Sequence, residues 1–250
     1  MSEQCLFRLR GRYVKEGRLR YLGHLEVMHT IERSVRRAGL PYAVTQGFSP
    51  HLRAGFSAAL PVGTGSSCEW YDLFMTELVP APEALARLAA ATPVGLAPQE
   101  AGYVDVRAAA LTAFITRADY AIALTPCAGG GVSADELTRA LEVVRARGEI
   151  PYLRGRKTKR LDLARTLTGF AVHPDAATGD LVLELETYLD NEGALRPEIL
   201  LAALDAELRG EPDVPIESTG IQDLVRFERY RVDRVAQYGL DERGGHVPPL

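Results

Sequence analysis

The chain has 250 residues, of which 46% are hydrophobic and 25% are charged, and its formal net charge is −4. These values are typical of a folded globular protein and exclude a wholly disordered chain. No apolar run approaches the roughly 20 residues that a membrane helix needs, and the N-terminus lacks the basic start and apolar centre of a signal peptide. We therefore expect a cytoplasmic protein with no membrane partner.

The spacing of the cysteines and the composition of the loops bear on cofactors. Cys5, Cys68 and Cys127 lie far apart in the sequence, whereas iron–sulfur and zinc sites draw on cysteines a few positions apart. The glycine-containing loop at residues 63–67 lacks the Gly-Lys-Ser/Thr ending of a phosphate-binding P-loop. The sequence thus predicts no cofactor and no metal.

Positive charge is concentrated in two segments of this acidic chain. Residues 1–60 contain ten Lys and Arg residues against four Asp and Glu, and residues 151–170 contain six against one. The remainder contains thirteen against twenty-eight. An acidic body with two basic segments indicates a defined anionic contact, and ordinary solvated surface charge is the alternative interpretation.

The first half of the chain begins with a predicted strand at residues 5–14, where apolar and basic side chains alternate. Its inward residues are Phe7, Leu9 and Tyr13, and the arginines of its other face are Arg8, Arg10 and Arg12. A helix is predicted from about residue 23 to residue 38, because Gly39 and then Pro41 end the apolar pattern. Short strands at 42–46 and 53–59 flank a loop at 47–51. A strand at 69–77, a helix at 82–91 and an extended segment at 94–104 follow.

Two histidines of this half are candidate functional groups. His24 falls on the apolar side of the predicted helix in its first turn, so we expect it to be half buried beside free backbone N–H groups. A purely structural histidine is the alternative. His51 follows Gly47-Phe48-Ser49-Pro50, whose glycine and proline stiffen the loop. A metal site that uses His24 and His29 is disfavoured, because a spacing of five places them about 140° apart on a helix.

The pattern of elements restarts after residue 111. We predict a strand at 112–124, a glycine loop at 129–131, a helix from Ser133 to Gly148 with Glu136 in a capping box, a basic segment at 150–163, a hairpin at 168–189, a helix at 197–208 and a strand at 221–233. Each half then has the ferredoxin-like order of strands and helices. We predict an α+β fold of two tandem ferredoxin-like (βαββαβ) domains with antiparallel sheets, at residues 1–108 and 109–233, and a poorly packed tail at 234–250.

One stretch of the first half combines several motifs. They are Tyr13-x-Lys15-x-Gly17-x-x-Arg20-Tyr21-x-Gly23-His24-Leu25-Glu26, then Arg36-Arg37-Ala38-Gly39-Leu40-Pro41, then Gln46-Gly47-Phe48-Ser49-Pro50-His51. The stretch from 7 to 72 resembles the radical-SAM-linked protein family, domain of unknown function 2344, whose members occur alone or fused behind a radical SAM domain. The resemblance implies a radical SAM enzyme as a partner in trans, and many such enzymes modify RNA or protein. Gly23 and Leu52 depart from the family, whose members usually carry serine and proline there.

Three functional hypotheses follow. The first is an accessory or substrate-binding protein, not catalytic on its own, that presents RNA to a radical SAM enzyme. Its candidate RNA- or phosphate-binding residues are Arg8, Arg10, Arg12, Arg33, Arg36, Arg37, Arg53, Arg154, Arg156, Lys157, Lys159 and Arg160. The second is a metal-independent RNA endonuclease in which His24 or His51 is the general base or acid and Arg53 stabilises charge on phosphate. The third is a protein-interaction module that docks an acidic partner, which the sequence does not separate from the first.

Overall fold

The computed structural model describes residues 5–128, 131–190 and 192–250. These residues form a mixed α+β structure with six α-helices and strands that pair antiparallel, so the predicted α+β class with antiparallel sheets is confirmed. The chain divides into two compact units. The first comprises Met1–Leu60, Gly65–Thr116 and Gln237–Leu250, and the second comprises Pro61–Thr64 and Arg117–Ala236. None of the helices in the described ranges is both long and apolar enough to cross a membrane.

Before residue 117, the first unit contributes four neighbouring sheet strands and two long helices. In chain order its elements are β1 (Phe7–Lys15), a 3-10 turn (Gly17–Tyr21), α1 (His24–Arg37), β2 (Ala54–Phe56), β3 (Gly65–Met75), α2 (Ala81–Ala91), a second 3-10 turn (Val94–Leu96), β4 (Pro98–Val104) and the short helix α3 (Leu111–Phe114). The strands lie in the order β4–β1–β3–β2, and each neighbouring pair is antiparallel.

Helix α1 packs an apolar stripe into the core of the first unit. Val27, Ile31 and Val35 recur every four residues and are buried in one cluster with Leu9 of β1 and Leu73 of β3. Each such side chain contributes roughly 1.5–3 kcal/mol when it is fully buried. The predicted helix at 23–38 is therefore confirmed, and the apolar stripe explains which of its faces meets the sheet.

The second unit contains sheet strands and a separate two-stranded hairpin. Its elements are β5 (Arg117–Pro126), α4 (Ala134–Ala146), β6 (Glu149–Arg154), β7 (Lys157–Asp162), α5 (Leu163–Thr166), β8 (Leu167–Pro174), β9 (Leu181–Asp190), β10 (Gly193–Ala194) and α6 (Pro197–Leu208). Strand β11 (Phe227–Leu240) begins in this unit and ends in the first, where it pairs with β12 (His246–Val247). The strand order within the second unit is β8–β9–β5–β11, and β6 pairs only with β7 as a regular strand.

Some local predictions differ from the structure. Residues 42–46 form no regular strand and make only isolated bridges through Tyr42 and Val44. Residues 111–114 are helical, so β5 begins at Arg117. The segment predicted as a poorly packed tail instead continues β11 to Leu240 and returns as β12, which pairs with the end of β11. Gly129 and Gly130 of the predicted glycine loop lie outside the described residues.

Candidate functional site

The second basic segment forms an antiparallel hairpin from β6 and β7, residues 149–162, which we call the basic hairpin. Ile150 and Leu161 are buried and pair across the strands, so they anchor its base. At the tip, Gly155 turns the chain with φ 59°, a left-handed conformation that glycine adopts without steric strain. The cationic side chains of the basic hairpin are all exposed, namely Arg154, Arg156, Lys157, Lys159 and Arg160.

The positive charge of the basic hairpin is largely uncompensated. Arg160 forms an ion pair with Glu149 of the opposite strand. For the other four cations, the described part of the chain offers no carboxylate within ion-pair distance. Several like charges on one small surface repel each other and attract a polyanion. The hairpin is therefore an exposed cationic surface rather than a set of internal ion pairs.

The first unit carries a second exposed basic group on α1. Arg33, Arg36 and Arg37 are exposed, and the Arg33 guanidinium donates to the Thr30 hydroxyl at 3.2 Å. Arg36 and Arg37 occupy the last turn of the helix. A cation there also stabilises the helix dipole by about 0.3–1 kcal/mol. These arginines are available to an anion, and they have a structural role as well.

Arg8 and Arg10 are buried, contrary to the prediction that they line an open face. Arg8 Nη2 lies 2.5 Å from Asp72 Oδ2, and Arg10 Nε lies 2.7 Å from Asp72 Oδ1. The carbonyls of Ala108 and Pro249 accept further hydrogen bonds from Arg8 and Arg10, respectively. Only 5% of Arg8 and 3% of Arg10 is exposed to solvent, and a charge buried to that extent requires such partners. These two arginines hold the first unit together and do not face a solvent-borne ligand.

Arg12 and Arg53 are already engaged by neighbours, although they retain exposure. Arg12 Nε lies 3.0 Å from Glu100 Oε2, in a pair whose side chains are both partly exposed. The Arg53 guanidinium lies 4.4 Å from the centroid of the Phe74 ring. Both side chains reach solvent. Because each already has a partner, they are weaker candidates for phosphate binding than the cations of the basic hairpin.

A small polar pocket lies beside the start of α1. Its polar lining residues come from different elements, and they are Tyr13 and Lys15 of β1, His24 of α1, Glu69 of β3 and Ser57. Its volume of about 10 Å³ is close to what one water molecule requires. Gln237 of β11 supports it, because its Nε2 donates to Glu69 Oε1 at 3.2 Å and to the Cys68 carbonyl at 2.7 Å.

The protonation of His24 is set by this pocket. His24 is half buried, as expected, and burial lowers its pKa. The negative charge of Glu69 opposes that shift, and the positive charge of Lys15 adds to it. The imidazole is therefore neutral at neutral pH and has a lone pair available to accept a proton. Its ring also packs edge-to-face on Phe56 at 6.0 Å between centroids.

His51 lies in a different environment, on the exposed loop between Val44 and Leu52. The loop is closed by backbone bonds, with the Thr45 N–H donating to the His51 carbonyl at 2.8 Å and the His51 N–H donating to the Thr45 hydroxyl at 3.1 Å. The Phe48 side chain at this loop is fully exposed. Among the residues that the structure describes, His51 does not join His24 in the polar pocket.

Sequence reasoning missed the buried polar residues around His24. Lys15 lies at the end of a strand interpreted from its alternating arginines, and Gln237 lies in the segment interpreted as a tail. Glu69 offered a signal, since it is one of two carboxylates, with Asp72, in a strand that is buried over most of its length. No group of three His, Cys, Asp or Glu side chains within the described ranges is placed to hold a metal ion.

Comparison with known proteins identifies a family. No curated protein has a matching sequence. Among solved structures, the chain is similar to one titled "Crystal Structure of a Cbf5-Nop10-Gar1 Complex", with a TM-score of 0.45 and 11% identity over 94% of this chain, and it spans 50% of that protein's chain. A family model described as "Uncharacterized protein conserved in bacteria (DUF2344)" matches residues 8–197, which is more than half of the chain. The chain therefore belongs to the DUF2344 family of bacterial proteins.

Proposed function

We propose that the protein is a cytoplasmic accessory protein that binds RNA and acts with a separate enzyme. The observation that carries this proposal is the basic hairpin, where Arg154, Arg156, Lys157 and Lys159 are exposed and have no carboxylate partner in the described part of the chain. Phosphates are the ligands that neutralise such a surface, and counterion release drives their binding. Arg33, Arg36 and Arg37 of α1 supply a second contact within the first unit.

Charge reversal on the basic hairpin tests the proposal. The test variant carries Arg154→Glu, Lys157→Glu and Lys159→Glu, and the matched control carries Arg107→Glu, Arg139→Glu and Arg243→Glu at exposed positions elsewhere. We expect wild-type protein and the control to bind single-stranded RNA with an affinity that falls steeply as salt rises. The hairpin variant should lose most binding, and its slope of log affinity against log salt should decrease by about three. Equal losses in both variants would refute a specific role for the basic hairpin.

The partner enzyme is the second part of the proposal. The resemblance of residues 7–72 to radical-SAM-linked proteins supports a radical SAM enzyme as the partner in trans. Tagged protein purified from native extract, with and without nuclease treatment, tests it. Recovery of a radical SAM enzyme in both preparations is expected for direct contact. Its loss after nuclease treatment would mean that RNA alone connects the two proteins.

A catalytic role for His24 is the second candidate function. The observation that favours it is a neutral, half-buried imidazole beside Lys15, Glu69 and Tyr13, a setting in which a histidine can act as a general base. His51 lacks that setting. End-labelled RNA should be cleaved by the wild-type protein and remain intact with His24→Gln, while RNA binding is unchanged. Intact RNA after long incubation with the wild-type protein eliminates this candidate.

We also propose that both units are ferredoxin-like domains, with the division between them near residue 108. Two features support this classification. Each unit follows the order strand, helix, strand, strand, helix, strand, once β6, β7 and the short elements are set aside. The strand orders β4–β1–β3–β2 and β11–β5–β9–β8 are equivalent when each unit is numbered from its own first strand. An experimental structure of the isolated second unit would test the division.

A further inference from the structure

An apolar cleft of about 520 Å³ adjoins the basic hairpin within the second unit. Residues 212–216 form one side of it and run along β6, where the Leu153 N–H donates to the Ile216 carbonyl at 2.8 Å and the Ser218 N–H donates to the Leu153 carbonyl at 2.8 Å. Tyr152 and Ala203 are buried lining residues, whereas Val214 is 42% exposed. The volume lies within the roughly 300–1,000 Å³ typical of small-molecule sites.

The polar groups of the cleft lining include one cation, Arg147, whose guanidinium is already paired with Glu207. The other charged groups are the carboxylates of Asp213 and Glu149, and Thr158 contributes a hydroxyl. Glu149 pairs with Arg160, while Asp213 has no cationic partner within the described ranges. Proline residues supply much of the remaining lining and have no N–H to offer. The cleft therefore suits a flat apolar group whose edge donates hydrogen bonds.

The cleft and the basic hairpin share the same two strands. Leu153 and Thr158 pair across β6 and β7 and both line the cleft. Side chains alternate between the two faces of a strand, so Arg154, Lys157 and Lys159 share a face with Tyr152, another lining residue, which pairs with Lys159. An anionic polymer bound to these cations thus passes within one or two residues of the cleft.

We propose that the cleft receives one base of a single-stranded RNA whose phosphates contact the basic hairpin. The inference rests on the proposed RNA binding and names the form of RNA that the hairpin takes. Unpaired bases can leave the stack and enter a protein slot, which paired bases do not do without unpairing. Carboxylates accept hydrogen bonds from exocyclic amino groups, so cytosine, adenine or guanine is preferred over uracil. An acidic peptide is a poorer occupant, because its carboxylates would meet Asp213.

Oligonucleotides of one length separate base binding from phosphate binding. The probes are ten-nucleotide oligocytidylate, ten-nucleotide oligouridylate and an abasic ribose-phosphate decamer, measured by fluorescence anisotropy at one salt concentration. We expect the abasic decamer to bind roughly 5- to 10-fold more weakly than oligocytidylate, because it retains only the phosphate contacts. Oligouridylate should fall between them. Equal affinity for all three probes overturns the inference.

Two cleft variants and a matched control complete the test. Val214→Ser should weaken oligocytidylate binding about threefold or more and leave the abasic decamer unaffected. The control is Val143→Ser on α4, since Val143 is 44% exposed and lies outside the cleft. Asp213→Asn should reduce the preference for cytidylate over uridylate. If Val214→Ser and Val143→Ser bind oligocytidylate equally well, the cleft is not the base site and the inference is overturned.

The failures of this inference and of RNA binding are distinguishable. If charge reversal on the basic hairpin abolishes binding while the cleft variants and the abasic decamer change nothing, the hairpin binds phosphate and the cleft inference is wrong. If no probe binds at low salt, both proposals are wrong. If an acidic decapeptide binds in a Val214-dependent manner and RNA does not, the cleft is a protein-docking site and the inference is overturned.

Discussion

The buried ion network of Arg8, Arg10 and Asp72 shows how far the role of a residue depends on partners that are distant in sequence. Asp72 accepts from both guanidinium groups, at 2.5 Å from Arg8 Nη2 and 2.7 Å from Arg10 Nε. Its carboxylate is the counter-charge for two cations that have almost no access to water. Removing it leaves positive charge buried without compensation, which is far more damaging than losing an exposed pair.

Asp72→Ala should therefore destabilise the protein by about 3–5 kcal/mol. The matched control is Glu83→Ala, which removes one carboxylate of an exposed ion pair with Arg87 and should cost less than about 1 kcal/mol. Urea unfolding followed by circular dichroism measures both free energies. Similar losses in the two variants would contradict the structural role assigned to the buried network.

His24 should make the stability of the first unit depend on pH. Burial lowers its pKa in the folded protein, so the unfolded chain binds the proton more readily. The associated stabilisation is fully present above the ordinary histidine pKa of about 6.5 and is lost as the pH falls through the folded-state value. His24→Gln should lose less free energy of unfolding between pH 7.5 and pH 5 than the wild type. His29→Gln, at an exposed position on the same helix, should keep the wild-type dependence.

At the scale of single elements, the first long helix of each unit, α1 in the first and α4 in the second, differs in how its N-terminus is capped. Helix α4 has a full capping box, in which the Ser133 hydroxyl accepts from the Glu136 N–H at 3.2 Å and the Glu136 carboxylate accepts from the Ser133 N–H at 2.8 Å. The hydrogen bond from the Ser133 backbone lowers the pKa of Glu136. Helix α1 has only the second half of this arrangement, where the Gly23 N–H donates to Glu26 at 2.7 Å. Its first turn therefore lacks a side-chain acceptor at the cap.

Gly23→Ser should complete the cap of α1. The backbone at Gly23 is already extended, with φ −72° and ψ 164°, and an added Cβ would lie 3.5 Å from its nearest neighbour, the Glu26 carboxylate. We expect a gain of a few tenths of a kcal/mol, measured as a rise in the urea midpoint. Gly23→Ala is the control, because it adds the same Cβ without an oxygen and should give no gain. Equal gains would assign the effect to the unfolded chain instead.

Short sequence windows predict the elements whose pattern depends only on residues close together in the chain. The alternation over 5–14 and the apolar stripe of α1 each follow from a short window, and both elements are present. The same alternation does not show that Arg8 and Arg10 are buried. A buried and an exposed arginine give the same sequence pattern, and the partner Asp72 lies on the neighbouring strand β3. The charge of residues 150–163 predicts a basic segment, but neither its hairpin nor the cleft, because residues 212–216 of the cleft lie about 50 positions or more further along the chain.

At the scale of the whole molecule, the first unit is built from separated stretches of chain. The Arg10 guanidinium donates to the Pro249 carbonyl at 2.8 Å, and Leu250 packs against Gly102 of β4. Deleting residues 246–250 removes both contacts together with β12. A buried donor left without its acceptor costs about 1–3 kcal/mol.

The shortened chain should therefore unfold at lower urea concentration than the wild type, and amide exchange should increase in β1 and β4. Arg243→Ala is the control, because it changes an exposed turn residue between β11 and β12 and should leave the midpoint unaltered. An unchanged midpoint in the deletion variant would mean that the final residues do not support the first unit.

The division of the first unit between the two ends of the chain also fixes an order of events during translation. A domain made of one continuous stretch can fold as soon as it leaves the ribosome. Here Gln237 and Pro249, the partners of Glu69 and Arg10, emerge only after the entire second unit has been synthesised. The stretch of the first unit that precedes the second unit is therefore completed only after the second unit, and until then Arg10 lacks the Pro249 carbonyl that accepts its hydrogen bond.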